Sequence, residues 1–174
     1  MIKLQKPKRN TALFALTLSV WLLLLLLPTA AATKLPFSVP LRFGSDKIVE
    51  FPVDVARNRN YQIDLVFVFN DQEQRVAAKK LAGEPARICK ALNECGVIPS
   101  FRITVRRGAT ILLREERTPV GTYAFSSDGF YREIIRAPLK PDHYDIVVEV
   151  TSSLVNYDAL IQFTTDPRSS DLEN

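Results

Sequence analysis

Residues Tyr61 to Phe69 read Tyr-Gln-Ile-Asp-Leu-Val-Phe-Val-Phe, and every odd position in the run is apolar. A period of two held over this length is the mark of a strand with one face on a core. The even positions start polar with Gln62 and Asp64 and end apolar with Val66 and Val68. The second face is therefore expected to be wet where the strand begins and covered where it ends. The strongly helical stretch that comes next is expected to fold back over Val66 and Val68. The run predicts the central strand of a β-sandwich with a helical insertion.

The rest of the chain supplies partners for such a strand. Leu35 to Phe43 is extended, and Pro36 and Pro40 confine it to a sheet edge or a bulge. Lys47 to Val55 alternates, with Val49, Phe51, Val53 and Val55 on one face. A hairpin to the central strand through Arg57-Asn58-Arg59-Asn60 is expected. Asn70 is expected to cap the helix, with Glu73 as its reciprocal partner. Val76, Ala77 and Leu81 would form its buried stripe, and Gly83 and Pro85 would stop it. A second helical turn over Ala86 to Asn93, with Ile88 and Leu92 inward, extends the insertion across about residues 71–93. Strand patterns then recur at Ser100 to Arg106, Thr110 to Arg117, Tyr123 to Phe125, Phe130 to Ala137, Tyr144 to Val150 and Ala159 to Thr164. About eight short strands separated by regular turn signals predict an antiparallel sandwich.

The first 32 residues read as an export signal. Lys3, Lys6, Lys8 and Arg9 precede an uncharged run from Thr11 that holds Leu22 to Leu27. Pro28 breaks the run, and Ala30-Ala31-Ala32 fits a cleavage site that leaves Thr33 first. The alternative is an uncleaved inner-membrane anchor over residues 11–32, since a helix needs roughly 20 residues to cross a bilayer. The expected division is a signal peptide at 1–32, a sandwich domain at 33–164 and a polar tail at 165–174. Removing the signal changes the charge. Four of the 23 basic residues and none of the 19 acidic ones lie in it, which leaves 19 of each. A nucleic-acid surface needs a basic excess, so no nucleic-acid partner is expected. The mature chain is expected in the periplasm or secreted.

Cys89 and Cys95 lie in the exported part, where an even count favours a disulfide. Six residues along a continuous helix rise about 9 Å, beyond the reach of a disulfide. The chain must therefore turn between them, and Asn93 with Gly96 allows it. Two thiols and a distant histidine fall short of a zinc site. A bridged pair also offers no thiolate nucleophile. His143, the one histidine, sits between Asp142 and Tyr144 and reads as a solvated turn residue. Glu115 and Glu116 are adjacent on a strand and point to opposite faces, so they cannot flank a glycosidic bond between them. Asp142 and Asp145 read as exposed charges. No catalytic, cofactor or metal residue is assigned, and the chain is expected not to be an enzyme.

Two further features stand out. Arg102 and Arg106 share one strand face, and with Arg107 and Arg114 they form a candidate surface for an acidic partner. The alternative is that these charges protect an exposed sheet edge. Leu139-Lys140-Pro141-Asp142-His143-Tyr144 leads into an alternating strand. It resembles the tyrosine corner of immunoglobulin-like domains, with Pro141 and Tyr144 as the corner and Asp142 where glycine is usual.

Taken with the export segment, the strand Tyr61 to Phe67, Leu81-Ala82-Gly83, and Gly96-Val97-Ile98-Pro99-Ser100-Phe101, this corner resembles a family of bacterial exported proteins. Members carry a single domain of unknown function of the DUF5625 type. The resemblance implies a mainly β, immunoglobulin-like sandwich over most of residues 35–164. The function expected on size, export and charge is that of a protein-binding module, such as an immunity-type or inhibitor protein, with another envelope or exported protein as partner. The alternative is a structural or glycan-binding envelope component, with Tyr131 or Tyr157 as a stacking surface. Intact-mass measurement of protein recovered from the periplasm should place Thr33 at the amino terminus. Recovery at full length in the membrane fraction alone would show an anchor instead.

Overall fold

Alternation along the chain resolves into two packed antiparallel sheets in a computed structural model that describes residues 33–44, 47–91, 94–152 and 157–167. Among these residues there are nine strands and one helix: β1 (Phe37–Arg42), β2 (Ile48–Val55), β3 (Arg59–Val68), α1 (Gln72–Ala82), β4 (Ser100–Arg107), β5 (Thr110–Arg117), β6 (Ala124–Phe125), β7 (Gly129–Leu139), β8 (Asp142–Ser152) and β9 (Asp158–Thr165). One sheet has the order β1-β9-β3-β7-β6 and the other β2-β8-β4-β5. The molecule is a mainly β, immunoglobulin-like sandwich. The expected signal segment and residues 168–174 lie outside the described residues.

β3 is central, flanked by β7 and β9. Its odd side chains Tyr61, Ile63, Leu65, Phe67 and Phe69 enter the core between the sheets. There they meet Phe51 and Val53 from β2, Phe101 and Ile103 from β4, and Ile146 and Val148 from β8. Full burial of such a side chain contributes about 1.5–3 kcal/mol, so this interlayer dominates the stability of the fold.

The expected hairpin between β2 and β3 does not form. β2 pairs with β8 in one sheet while β3 lies in the other. Both strands are apolar on one face, and each buries that face against the other's sheet, so the polar turn between them crosses layers. The Tyr61 hydroxyl holds this crossing by donating to the Arg57 carbonyl at 3.0 Å. The crossing between β7 and β8 is tied alike: the Tyr144 hydroxyl donates to the Lys140 carbonyl at 2.9 Å, beside Pro141. Both rings are 3% exposed.

The helix departs from expectation in cap and in face. Asp71 caps it, accepting from the Gln74 amide at 2.7 Å, while the Gln74 side chain accepts from the Asn70 amide at 3.0 Å. Ala78 and Ala82 are buried, whereas Val76 is 63% exposed and Ala77 is also outside. The helix does not lie over Val66 and Val68. It closes the end of the core beside Phe67, Phe69 and Phe130, where small alanines let the backbone approach closely. Arg75 and Lys79 cover the rings of Phe69 and Phe130 from outside. The second helical turn is reduced to two hydrogen bonds onto the Pro85 carbonyl, and Ile88 is 52% exposed. Leu92 lies outside the described residues.

The Cys89–Cys95 disulfide is present, with Cα atoms 5.2 Å apart. Its loop meets the helix end backbone to backbone. Gly83, at φ 76°, and Gly96, at φ 70°, face each other. A Cβ on Gly83 would lie 2.2 Å from the Cys95 carbonyl carbon, and one on Gly96 would lie 2.1 Å from the Leu81 oxygen. Only glycine fits at either place.

Arg132 locks this end. It projects from β7 into the core side, opposite Leu65, and is 1% exposed. Its guanidinium lies 5.3 Å from the centre of the Phe67 ring. It donates to the carbonyls of Ala82 and Val97, and to those of Cys95 at 2.9 Å, Pro119 at 3.3 Å and Leu81 at 3.4 Å. At the other end, order continues past the expected boundary at 164. Thr165 ends β9, and Asp166 is buried, donating its amide to the Asn60 carbonyl at 3.0 Å.

Tyr144→Phe and Tyr61→Phe each remove one hydroxyl that ties a crossing between the sheets, so each should destabilise by about 0.5–1.5 kcal/mol in denaturant unfolding. Asp145→Asn, on the opposite face from Tyr144, should cost much less. Equal stability of Tyr144→Phe and wild type would remove the corner's structural role.

Candidate functional site

The outer face of the five-stranded sheet carries a buried polar assembly that the fold does not need for its core. It begins with a bulge. The register between β3 and β7 shifts at Ile63/Asp64, where Ile63 faces Ile135 but Asp64 faces Glu133. One extra residue on β7 turns Ile134 and Ile135 both towards the core. Their flanking residues Glu133 and Arg136 then share the outer face with Asp64 and Gln62. A regular strand would have put Glu133 and Arg136 on opposite sides.

Gln62 and Asp64 are expected to be wet, and are instead covered. Gln62 is fully buried and Asp64 is 1% exposed. The Gln62 amide nitrogen donates to Asp64 Oδ1 at 2.7 Å and reaches the Tyr123 oxygen at 2.6 Å. The Tyr123 hydroxyl donates to Asp64 Oδ2 at 3.0 Å. Arg136 donates to the Gln62 oxygen at 3.3 Å, pairs with Glu133 at 2.5 Å and reaches the buried Asp166 at 3.1 Å. Burial pushes the Asp64 carboxyl up to about 6, against the hydrogen bonds from Gln62 and Tyr123 that favour its charged form. Burial and the nearby Asp64 charge likewise raise the Tyr123 phenol.

Tyr123 belongs to a ridge. Its neighbour Phe125 is 75% exposed, the most exposed of the large apolar side chains among the described residues, and Tyr123 is 44% exposed. The backbone beneath them is fixed on two sides. Thr122 exchanges hydrogen bonds with Glu84 at 3.1 Å and Ala86 at 3.0 Å in the disulfide region. The Tyr123 amide donates to Tyr131 at 3.0 Å, and the Ser126 amide to Gly129 at 2.8 Å. A groove of about 400 Å³ lies on one side of the ridge, lined by Pro85, Arg87 and Phe125. A groove of about 360 Å³ lies on the other, lined by Asp64, Tyr123, Phe125, Tyr131, Gln162 and Thr164.

The candidates from sequence fall elsewhere. Arg102 pairs with Glu116 at 2.6 Å and Glu149 at 2.8 Å, Arg106 pairs with Glu50, and Arg107 reaches Asp142 at 3.4 Å. Arg114 lies across from Thr104 on the same face. The surface is a lattice of cross-strand ion pairs, not a bare basic patch. Glu116 joins Arg102 while Glu115 joins Arg117, in keeping with their opposite faces. His143 contacts Asp54 through Nδ1 at 2.7 Å, and that hydrogen bond raises its pKa. Tyr157 is not a stacking surface: its ring packs 5.9 Å from Phe67, and its hydroxyl donates to Val68 at 3.1 Å. Tyr131 does line a groove. Among the described residues no group of three or more His, Cys, Asp or Glu is placed to hold a metal ion, and no helix is long and apolar enough to cross a membrane. The disulfide points to an oxidising compartment.

Tyr123, Phe125 and Arg136 are not expected from sequence as site residues, and Asp64 is expected only to be solvated. The visible signal was Gln62 and Asp64, two polar residues on the most apolar strand of the chain. What covers them comes from a segment about 60 residues away.

A family model described as "Domain of unknown function (DUF5625)" matches residues 34–163. The crystal structure of GEBA250068378 from Sulfurospirillum deleyianum is similar, with a TM-score of 0.62 and 14% identity over 78% of this chain and all of that one. At that identity the likeness concerns the fold alone. No curated protein matches the chain.

The buried carboxyl has a consequence for stability. Asp64 binds its proton more tightly folded than unfolded, so its contribution is most favourable below about pH 4 and is lost as pH rises through about 6. Ionised at neutral pH, it costs about 3 kcal/mol relative to an unshifted carboxylate. Asp64→Asn should therefore gain on wild type by about 2–3 kcal/mol between about pH 4 and about pH 7.5 in urea unfolding. Parallel pH profiles would show that Asp64 is not held in this state.

Proposed function

The chain belongs to the DUF5625 family, and we propose that it acts as an exported, non-enzymatic protein-binding module whose recognition face is the Tyr123–Phe125 ridge. The observation that carries this is Phe125. An aromatic side chain three-quarters exposed loses apolar free energy in water. Here it stands on a backbone tied to both the disulfide region and β7, and grooves flank it on both sides. A rigid aromatic anchor between pockets is the form that interface hot spots take. Pre-organisation lowers the entropy lost on docking. An immunity-type or inhibitor protein is the specific form this reading takes, with another exported or envelope protein as partner. The arginine face is a secondary candidate, since the guanidiniums of Arg102, Arg106 and Arg107 are already paired.

A glycan-binding role has its own support. Tyr131, Gln162 and Thr164 line the groove, combining a stacking ring with an amide and a hydroxyl.

A photo-crosslinking amino acid at position 125, in cells that export the protein, should give a discrete protein adduct. The same group at Val76, comparably exposed but on the helix, should give none. Phe125→Ala should abolish partner capture and leave the unfolding midpoint unchanged. Equal adducts from both positions, or none from 125, would overturn the assignment.

A further inference from the structure

The groove between Phe125 and β9 has a chemistry of its own, and the ligand inferred for it rests on this face being the recognition surface. Tyr123, Phe125 and Tyr131 supply aromatic surface around it, and Asp64 lies at its floor. Among the described residues, no lysine or arginine lines it. Aromatic faces are negative at their centres and attract cations. A buried carboxylate behind them adds a fixed charge in a poorly solvated place, where it acts more strongly than at the surface. We propose that this groove binds an organic cation, the ammonium head and aliphatic stem of a lysine side chain presented by the partner.

The form of the cation is set by how Asp64 is held. Oδ1 already accepts from Gln62 and Oδ2 from Tyr123. With the residue 1% exposed and one hydrogen bond already on each oxygen, the carboxylate does not present both oxygens for the two-pronged hold that a guanidinium prefers. What remains is a point charge behind a phenol, which suits a compact ammonium. A metal ion is disfavoured, because hard cations need several oxygen ligands, and one engaged carboxylate with aromatic walls does not supply them. The Gln162 amide nitrogen donates to Ser38 at 3.2 Å, so its oxygen is the end that can accept from an ammonium N–H. Ala124, Phe125 and Pro167 offer apolar surface for the stem. A neutral sugar would use the rings and amides equally well but would gain nothing from the charge of Asp64.

Charge on Asp64 also ties the site to pH. Its carboxyl titrates at about 6. The groups that act on it are Gln62 of its own strand, Glu133 and Arg136 of β7, and Tyr123 beside β6. From β9 the uncharged Gln162 lies opposite. Cation affinity should rise about tenfold from pH 5 to pH 7 as the carboxylate forms.

The test uses the mature protein with n-butylammonium as probe, n-pentanol as its neutral counterpart and methyl glucoside as the sugar. Ring-proton resonances of Tyr123, Phe125 and Tyr131 are followed by NMR. Saturable shifts are expected with butylammonium, weakened about tenfold at pH 5 and by Phe125→Ala, whose exposed position spares the fold. Asp64→Asn should weaken binding and flatten its pH dependence. Pentanol binding as tightly as butylammonium would reduce the site to an apolar cleft and overturn the proposal. Saturation by methyl glucoside with no response to butylammonium would do the same in favour of a glycan. A crosslinked adduct from position 125 without ammonium binding would remove the cation and leave the docking face. Ammonium binding without an adduct would support the site and remove the protein partner.

Discussion

One buried guanidinium sets the closed end of this sandwich. Arg132 is inside the core, and its charge is met by peptide carbonyls rather than by a carboxylate. Burial lowers its pKa to about 10, so it still carries its charge at neutral pH. The carbonyls come from four places in the chain: the end of α1, the disulfide loop, the segment leading to β4 and the loop after β5. Two of them, Leu81 and Ala82, belong to the helix end, where carbonyls lack intrahelical donors and the dipole is negative. A single cation thus satisfies the Ala82, Cys95, Val97 and Pro119 carbonyls, each of which would cost about 1–3 kcal/mol if buried unpaired, and adds a second donor to the Leu81 carbonyl, which also accepts from the Val97 amide at 2.8 Å. The Phe67 ring holds its flat face in place.

The ridge depends on this arrangement. Pro119, one of the Arg132 acceptors, opens the loop that carries Thr122 and Tyr123. Thr122 in turn pairs with Glu84 and Ala86, just beyond the helix. Helix end, disulfide loop and ridge are therefore one rigid unit. Phe125 is exposed because the backbone under it has nowhere else to go, not because the segment is loose. The same rigidity presses Tyr123 onto Asp64 and dries the carboxylate that the central strand exposes on its outer face.

The opposite sheet manages its surface differently. On its outer face Arg102, Arg106 and Arg107 are answered by Glu50, Glu116, Glu149 and Asp142. On edge strand β5, Glu115 and Arg117 lie on the side that faces the core, across from Ile103 and Phe101. Charges there discourage a second chain from pairing with the open edge. The two faces of the molecule thus differ in kind: one is an ion-pair lattice, the other an aromatic ridge over a buried acid.

Strand identity, the helix, the disulfide and the turn before Tyr144 were legible in the residues, because each rests on local rules. Alternation of period two, a glycine stop, the reach of a disulfide and proline before a core tyrosine all act within a few residues. The pairing of β2 was not legible, since an apolar face does not say which sheet will cover it. Nor was the buried face of α1, where Ala78 and Ala82 displaced Val76 because the core's end leaves room only for a close backbone. Arg132, between Phe130 and Ile134 at alternate positions, carries no local mark of its role. Its role exists only because five carbonyls from distant segments converge on it. Asp64 looked solvated for the same reason: the bulge and Tyr123 that bury it come from the far half of the chain. Local periodicity determined which segments are strands. Only tertiary packing decided which polar groups would be dry, because desolvation depends on what the rest of the chain brings over them.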